Sequence, residues 1–99
     1  MDFFGGYAYL LQSSGTDVTP ALSKLHGMAT NGSQSLWKRF AATKTLVDFK
    51  KIYENGITQV TDAAAIEGLK KSIATITNYI TEIKAKETDN QLKGLYNNF

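Results

Sequence analysis

The chain has 99 residues, of which 42% are hydrophobic and 20% charged, a balance typical of a folded domain rather than a disordered segment. This length predicts a single domain over residues 1–99 with a thin margin of stability, because a short chain buries a small share of its surface. The net charge of +2 argues against a dedicated nucleic-acid binder, and the absence of cysteine excludes disulfides, thiolate catalysis and cysteine-bound zinc.

The first 18 residues comprise an aromatic arm and a Ser/Gly/Thr linker. The arm carries Phe3, Phe4, Tyr7 and Tyr9 around two adjacent glycines and has no charged residue within it. Each glycine weakens a helix by about 1 kcal/mol, whereas the alternating tyrosines suit an extended chain, so helix, strand and coil all stay open. The arm is too short to span a bilayer, which needs about 20 apolar residues, and it lacks the basic start of a secretory signal. We therefore expect no transmembrane segment and no cleaved leader.

Capping and turn residues predict a short helix over about 19–30. Thr19 suits the N-cap and Pro20 the first helical position, where the missing N–H of proline costs nothing. The Asn31-Gly32 pair is a turn signal and is expected to follow the end of the helix.

A second helix is predicted over about 33–54, opened by Ser33 and roughly 33 Å long at 1.5 Å per residue. Its apolar residues form two adjacent stripes, with Leu36, Phe40 and Val47 in one and Leu46, Phe49 and Tyr53 in the other. A helix with one face exposed to solvent needs only one apolar stripe. This helix has two, so it is expected to contact two neighbours and to lie centrally. The Asn55-Gly56 pair is expected to end it.

A third helix is predicted over about 62–86, where Thr61 and Asp62 open it and large aliphatic residues recur at spacings of three and four. This is the a/d pattern of a coiled-coil seam. The seam residues are Ile66, Leu69, Ile73, Ile76, Ile80 and Ile83. Because a connection of about six residues joins antiparallel neighbours, the seam is interpreted as the core of a helical hairpin with the second helix.

A homodimer through the seam is disfavoured, because its flanking e and g positions carry no acidic residue and isoleucine occupies both a and d. The helix also has no charged residue from Ser72 to Thr81. This neutral flank presents Ala74, Thr77, Asn78 and Thr81 outside the seam. Two interpretations stay open: the first helix or the arm covers this flank, or the flank is a subunit interface.

The tail, residues 87–99, interrupts the heptads at Glu87 and then resumes an apolar pattern as a short fourth helix or a packed arm. Together these elements predict an all-α fold, namely a small helical bundle built on an antiparallel hairpin. The predicted hairpin core comprises Leu36, Phe40, Val47, Ile66, Leu69, Ile73, Ile76, Ile80 and Ile83.

Residues that could support catalysis are sparse. His26 is the only histidine, and no serine motif, phosphate-binding loop, calcium loop or dinucleotide fingerprint occurs. The acidic residues are scattered and mostly have a lysine three or four positions away, as in ordinary surface pairs. We expect no catalytic residues, no metal site and no cofactor.

The leading hypothesis is a non-enzymatic structural or assembly subunit that self-associates through helix–helix packing, such as a small virion, filament or secretion-apparatus component. The candidate interface residues are Phe3, Phe4, Tyr7, Tyr9, Trp37, Ala74, Thr77, Asn78, Thr81, Tyr96 and Phe99. The compartment stays open between the cytoplasm and an assembled particle.

The alternative is a small regulatory protein of the immunity or inhibitor type, which would bind a larger partner through Trp37, Arg39 and Tyr79, because interface hot spots favour these residue types. A third hypothesis is weak association with nucleic acid, since residues 36–51 interleave aromatic and basic residues without forming one basic stripe. Peripheral membrane contact by residues 3–11 is a further option, although no adjacent lysine would attract anionic lipid.

Overall fold

The computed structural model describes residues 19–99, and these form helices with no strand among them. The predicted all-α fold is therefore confirmed, while the predictions for the arm and linker lie outside the described residues. The four helices of this part of the chain are α1 (Thr19–Thr30), α2 (Leu36–Ile57), α3 (Ala63–Lys86) and α4 (Asn90–Tyr96).

Helix α1 has the predicted range, but Thr19 is its first helical residue rather than the cap that precedes it. The helix packs against both α2 and α3, and it buries Leu22 and Ala29. Its end at Thr30 is followed by the predicted turn, where the Asn31 side chain accepts a hydrogen bond from the backbone N–H of Ser33 at 2.9 Å.

That turn also explains why α2 begins three residues later than predicted. The N–H of Ser33 is engaged with Asn31, so Ser33 belongs to the turn. Ser35 is the N-cap instead, and its hydroxyl oxygen accepts a hydrogen bond from the backbone N–H of Lys38 at 3.2 Å.

At its other end α2 runs past the predicted stop at Asn55-Gly56 to Ile57. Ile57 packs partly against the core, which favours the extra turn, and Gly56 is itself buried. Thr58 closes the helix, because its backbone N–H and its hydroxyl both donate to the carbonyl of Asn55, at 3.1 and 2.7 Å.

Helix α3 begins one residue later than predicted because Asp62, not Thr61, is its N-cap. A carboxylate oxygen of Asp62 accepts the backbone N–H of Ala65 at 2.9 Å, which satisfies one of the donors that a helix start leaves free.

Helix α2 contacts both α1 and α3, so the prediction that it has two neighbours is confirmed. Both of its predicted stripes contribute to the core. The buried residues of α2 are Ala42, Thr43, Thr45, Leu46, Val47, Phe49, Tyr53 and Gly56.

Most of the predicted hairpin core is buried. Val47, Leu69, Ile76, Ile80 and Ile83 are buried, whereas Phe40, Ile66 and Ile73 are half-buried. Leu36 is a correction, because 38% of its surface is exposed. The reason is its position: Arg39 pairs with Glu87 just beyond the end of α3, and Leu36 lies almost one helical turn further out.

The tail forms the short helix α4. Asp89 is its N-cap and accepts the backbone N–H of Leu92 at 3.0 Å. Leu92 and Tyr96 are buried, and the ring of Phe99 lies 6.0 Å from that of Phe40, so α4 packs beside the first turns of α2.

Candidate interaction surfaces

Large hydrophobic side chains are exposed at one end of the bundle. Among residues 19–99 these are Leu36, Trp37 and Leu95, with exposed fractions of 38%, 74% and 48%. Leu36 and Trp37 open α2, and Leu95 lies in α4, which packs beside the same turns. We call these three residues the aromatic end. Apolar side chains in such a group are typical of interaction sites.

A row of packed aromatic rings leads from the exposed Trp37 to the buried Tyr96. The Trp37 ring lies 6.3 Å from that of Phe40, Phe40 lies 6.0 Å from Phe99, and Phe99 stacks on Tyr96 at 5.5 Å. Centroid distances of this size are those of favourable aromatic pairs. The row joins the start of α2 to the end of the chain, and the half-buried Phe99 belongs to it.

Tyr96 differs from its predicted place at an interface, because only 1% of it is exposed. Its hydroxyl oxygen lies 3.1 Å from that of Thr43 in a buried hydrogen bond. Burial raises the pKa of Tyr96, and the hydrogen bond to Thr43 partly opposes this. Tyr96 therefore belongs to the core that carries the aromatic end and not to the exposed surface.

A buried ion pair fixes the position of α2 relative to the end of α3. Arg39 Nη1 donates to Glu87 Oε2 at 2.8 Å, and the same oxygen accepts the backbone N–H groups of Thr88 and Asp89, each at 3.0 Å. Only 13% of the Arg39 side chain and 1% of the Glu87 side chain are exposed. Arg39 was predicted as an anchor for a foreign partner, but its side chain binds Glu87 within the same chain.

The neutral flank of α3 is exposed at Ala74, Asn78 and Thr81, which share one stripe at spacings of four and three, and Thr77 is half-buried beside it. The hydroxyls of Thr77 and Thr81 donate to the carbonyls of Ile73 and Thr77, at 2.8 and 3.0 Å. Both hydroxyls are therefore satisfied within their own helix, and the carboxamide of Asn78 is the polar group of the stripe that a partner would have to hydrogen-bond. We call Ala74, Thr77, Asn78 and Thr81 the outer stripe.

Helix α1 covers a different side of α3. The His26 ring stacks on Tyr79 at 4.4 Å, and its Nε2 lies 2.6 Å from a carboxylate oxygen of Glu82. Tyr79, predicted as a possible anchor, is half-buried by this contact. Within residues 19–99, α1 therefore leaves the outer stripe open.

Chemical sites are sparse in the described part of the chain. Residues 19–99 contain no group of three or more acidic, histidine or cysteine side chains that could hold a metal ion. None of the helices in this range is long and apolar enough to cross a membrane. A cavity of about 200 Å³ lies between the ends of α1 and α3, but its charged lining includes Arg39 and Glu87, which already bind each other.

Sequence reasoning missed Glu87 and Leu95. Glu87 stands four residues after Ile83, at the next seam position, where an acidic residue signals a buried partner rather than the end of the seam. Leu95 adjoins the buried Tyr96, and its exposure depends on how α4 packs, which no local pattern reveals. The predicted Phe3, Phe4, Tyr7 and Tyr9 lie outside the described residues.

No protein-family model matches the chain, and neither a curated protein nor a solved structure shows significant similarity to it. The aromatic end and the outer stripe are therefore the features of the molecule that bear on its function.

Proposed function

We propose that the chain is a non-enzymatic structural subunit that associates with copies of itself through the aromatic end and the outer stripe. The supporting observation is the 74% exposure of Trp37, which adjoins the exposed Leu36 at the start of α2. Tryptophan is enriched among the residues that dominate binding energy at protein interfaces, and its exposure in an isolated copy leaves a large apolar surface in water.

The support beneath Trp37 adds to this proposal. Phe40 packs against the Trp37 ring, and the ion pair of Arg39 with Glu87 fixes the turn of α2 that carries both aromatic residues. A side chain on a rigid element loses less conformational freedom on binding than one on a loop, so more of its contact energy contributes to affinity.

The outer stripe suits a second kind of contact, the packing of one helix on another. Alanine and threonine are small, and the hydroxyls of Thr77 and Thr81 are already satisfied, so another helix can approach these residues closely when it also hydrogen-bonds the carboxamide of Asn78. Ion pairs do not dominate this surface, because no charged residue occurs between Ser72 and Thr81.

The proposal is tested by sedimentation velocity over a range of protein concentrations. We expect the unmodified chain to form oligomers, and we expect Trp37→Ser and Asn78→Lys each to weaken them while the helical circular dichroism stays unchanged. Glu54→Ser changes an exposed residue near the opposite end of α2 and is the matched control. A chain that stays monomeric at the highest concentration would overturn the proposal.

A second candidate function is that of a regulatory protein that binds a larger protein. It is favoured because Trp37 is much more exposed than Leu36 and Leu95. A single protruding aromatic residue suits insertion into a partner's pocket. This candidate predicts a monomeric chain and one stoichiometric partner in the native host, and Trp37→Ser would abolish that complex.

A further inference from the structure

We infer that the turn between α1 and α2 is a self-modification site, at which the backbone nitrogen of Gly32 attacks the side-chain carboxamide of Asn31. The products carry aspartate or isoaspartate at position 31, and ammonia is released. The reaction takes place within one chain, so it requires neither an enzyme nor a second copy and does not depend on the proposed self-association.

The chain contains two Asn-Gly pairs, Asn31-Gly32 and Asn55-Gly56. Asparagine is chemically most labile before glycine, because glycine has no Cβ beside the attacking nitrogen. The attack closes a succinimide ring within the chain, and reactions between groups of one chain gain a large advantage from proximity. The structure places the two pairs in different surroundings.

The first pair lies in an exposed turn. Asn31, Gly32 and Ser33 are all exposed, and no hydrogen bond among residues 19–99 holds the N–H of Gly32. This N–H is therefore free to lose its proton to hydroxide from the solvent, which activates the nitrogen as a nucleophile. No atom among these residues lies within 4 Å of the position that a Cβ on Gly32 would occupy, so the surroundings of the nitrogen are open.

The carboxamide of Asn31 is held in position for this attack. Its Oδ1 atom accepts a hydrogen bond from the backbone N–H of Ser33 at 2.9 Å, which folds the side chain back over the Gly32 peptide. When the nitrogen of Gly32 bonds to Cγ, negative charge develops on this same oxygen. A donor that is already aimed at a developing oxyanion lowers the barrier, as it does in enzymes that stabilise tetrahedral intermediates.

The second pair lacks these features. Asn55 and Gly56 lie inside α2, where each N–H donates to the carbonyl four residues earlier. Gly56 is also buried. Attack by its nitrogen would require local opening of the end of the helix. We therefore expect Asn55 to stay unmodified under conditions in which Asn31 reacts.

The reaction balances with water as its only co-reactant. A bond forms between the Gly32 nitrogen and Asn31 Cγ, and the amide proton passes to a base from the solvent. The carboxamide nitrogen takes up a proton and leaves as ammonia, so that a succinimide remains. Water then opens the succinimide at either carbonyl and gives aspartate or isoaspartate. Either product lowers the net charge from +2 to +1.

The modification changes the turn that leads into α2. The main-chain carbonyl of Asn31 accepts the backbone N–H of Gln34 at 3.0 Å. In isoaspartate this carbonyl becomes a free carboxylate, and the main chain gains a methylene group. The new negative charge lies near the start of α2, where it is favourable, and beside the end of α1, where it is unfavourable. The turn therefore changes as the protein ages, without an external signal.

Peptide mapping by mass spectrometry tests this inference on dilute, folded protein incubated at mildly alkaline pH. We expect aspartate and isoaspartate to appear at Asn31 at least about tenfold faster than at Asn55. In guanidinium-unfolded protein the two sites should react at similar rates, because each asparagine then has only its following glycine as a neighbour in common. Equal rates at the two sites in folded protein would overturn the inference. Slower reaction at Asn31 in folded than in unfolded protein would also overturn it.

Gly32→Ala identifies the attacking nitrogen. The φ angle of Gly32 lies outside the left-handed region and a Cβ has room there, so this variant should fold while its methyl group hinders the attack. We expect the reaction at Asn31 to slow at least about tenfold. Gly27→Ala adds the same methyl group at an exposed position of α1 and should leave that rate unchanged. Circular dichroism checks that both variants fold, and an unchanged rate in Gly32→Ala would contradict attack by Gly32.

Discussion

Glu87 is an acidic residue at a seam position, four residues after Ile83, and it is almost completely buried. Its Oε2 atom accepts three hydrogen bonds, one from Arg39 and two from the backbone that leads into α4. Burying a charge is costly unless such partners compensate it. One side chain thus ends α3, orients the start of α4 and holds the start of α2.

We expect Glu87→Leu to lower the free energy of unfolding by about 3–5 kcal/mol, because it leaves the largely buried Arg39 and two partly buried backbone donors without an acceptor. Adding Arg39→Met should restore part of that loss. Lys44→Ala breaks an exposed i,i+4 pair with Asp48 and should cost only about 0.2–0.5 kcal/mol. Urea titrations of the four proteins measure these differences, and equal losses for Glu87→Leu and Lys44→Ala would contradict this account.

The burial of Tyr53 makes the stability of the protein depend on pH. Burial raises the pKa of Tyr53 from 10.0 to about 12. The unfolded chain therefore loses this proton near pH 10, whereas the folded chain keeps it until about pH 12. The contribution of Tyr53 to the free energy of unfolding is therefore complete below pH 10 and is lost as the pH rises through 12.

We predict that the urea midpoint falls between pH 10 and pH 12 and that Tyr53→Phe makes this fall shallower. A remaining slope is expected from Tyr96, whose pKa burial also raises. An equally steep fall in Tyr53→Phe would show that other groups control the alkaline limit.

At the scale of helices, the start of α3 distinguishes two adjacent polar residues. Asp62 accepts the N–H of Ala65, and Thr61 immediately before it lies exposed outside the helix. Both residue types suit an N-cap, so local capping chemistry does not decide between the two neighbours, and the prediction that Thr61 caps the helix was wrong.

Asp62→Ala should therefore cost about 1 kcal/mol of unfolding free energy, whereas Thr61→Ala should cost less than about 0.5 kcal/mol. Thermal or urea unfolding of the two variants measures the difference. A larger loss in Thr61→Ala would place the helix start one residue earlier than the structure does.

The presence of the helices could be predicted from the sequence because their signals are local. These signals are Pro20, the Asn31-Gly32 turn and the isoleucine seam. The start of α2 could not, since Ser33 and Ser35 have the same capping chemistry and the Asn31 side chain decides between them. Of the predicted interface residues, Trp37 is exposed and so stays a candidate, whereas Tyr96 is buried. The burial of Tyr96 could not be predicted locally, because it depends on a contact with Thr43, 53 positions earlier.

At the scale of the whole molecule, folding and association are coupled if the proposed function holds. A small domain has little stability to spare, and contacts made only by the folded chain stabilise it by mass action. Covering Trp37, Leu36 and Leu95 in an assembly would then raise the stability of each copy.

We predict that the urea midpoint of the unmodified chain rises when protein concentration is raised from about 1 µM to about 100 µM. Trp37→Ser should remove most of this dependence while leaving the midpoint of dilute protein nearly unchanged, since Trp37 is largely exposed. Glu54→Ser should behave like the unmodified chain. A midpoint independent of concentration in the unmodified chain would argue against coupled association.

The bond between Thr43 and Tyr96 also determines when folding can finish during synthesis. Leu92 and Tyr96 of α4 are buried core residues, and Phe99 packs on Phe40. While these residues still occupy the ribosomal exit tunnel, the emerged helices lack part of their core. A nascent chain therefore completes this core only after α4 has emerged, and chains that lack α4 should be cleaved more readily by proteases than the unmodified chain.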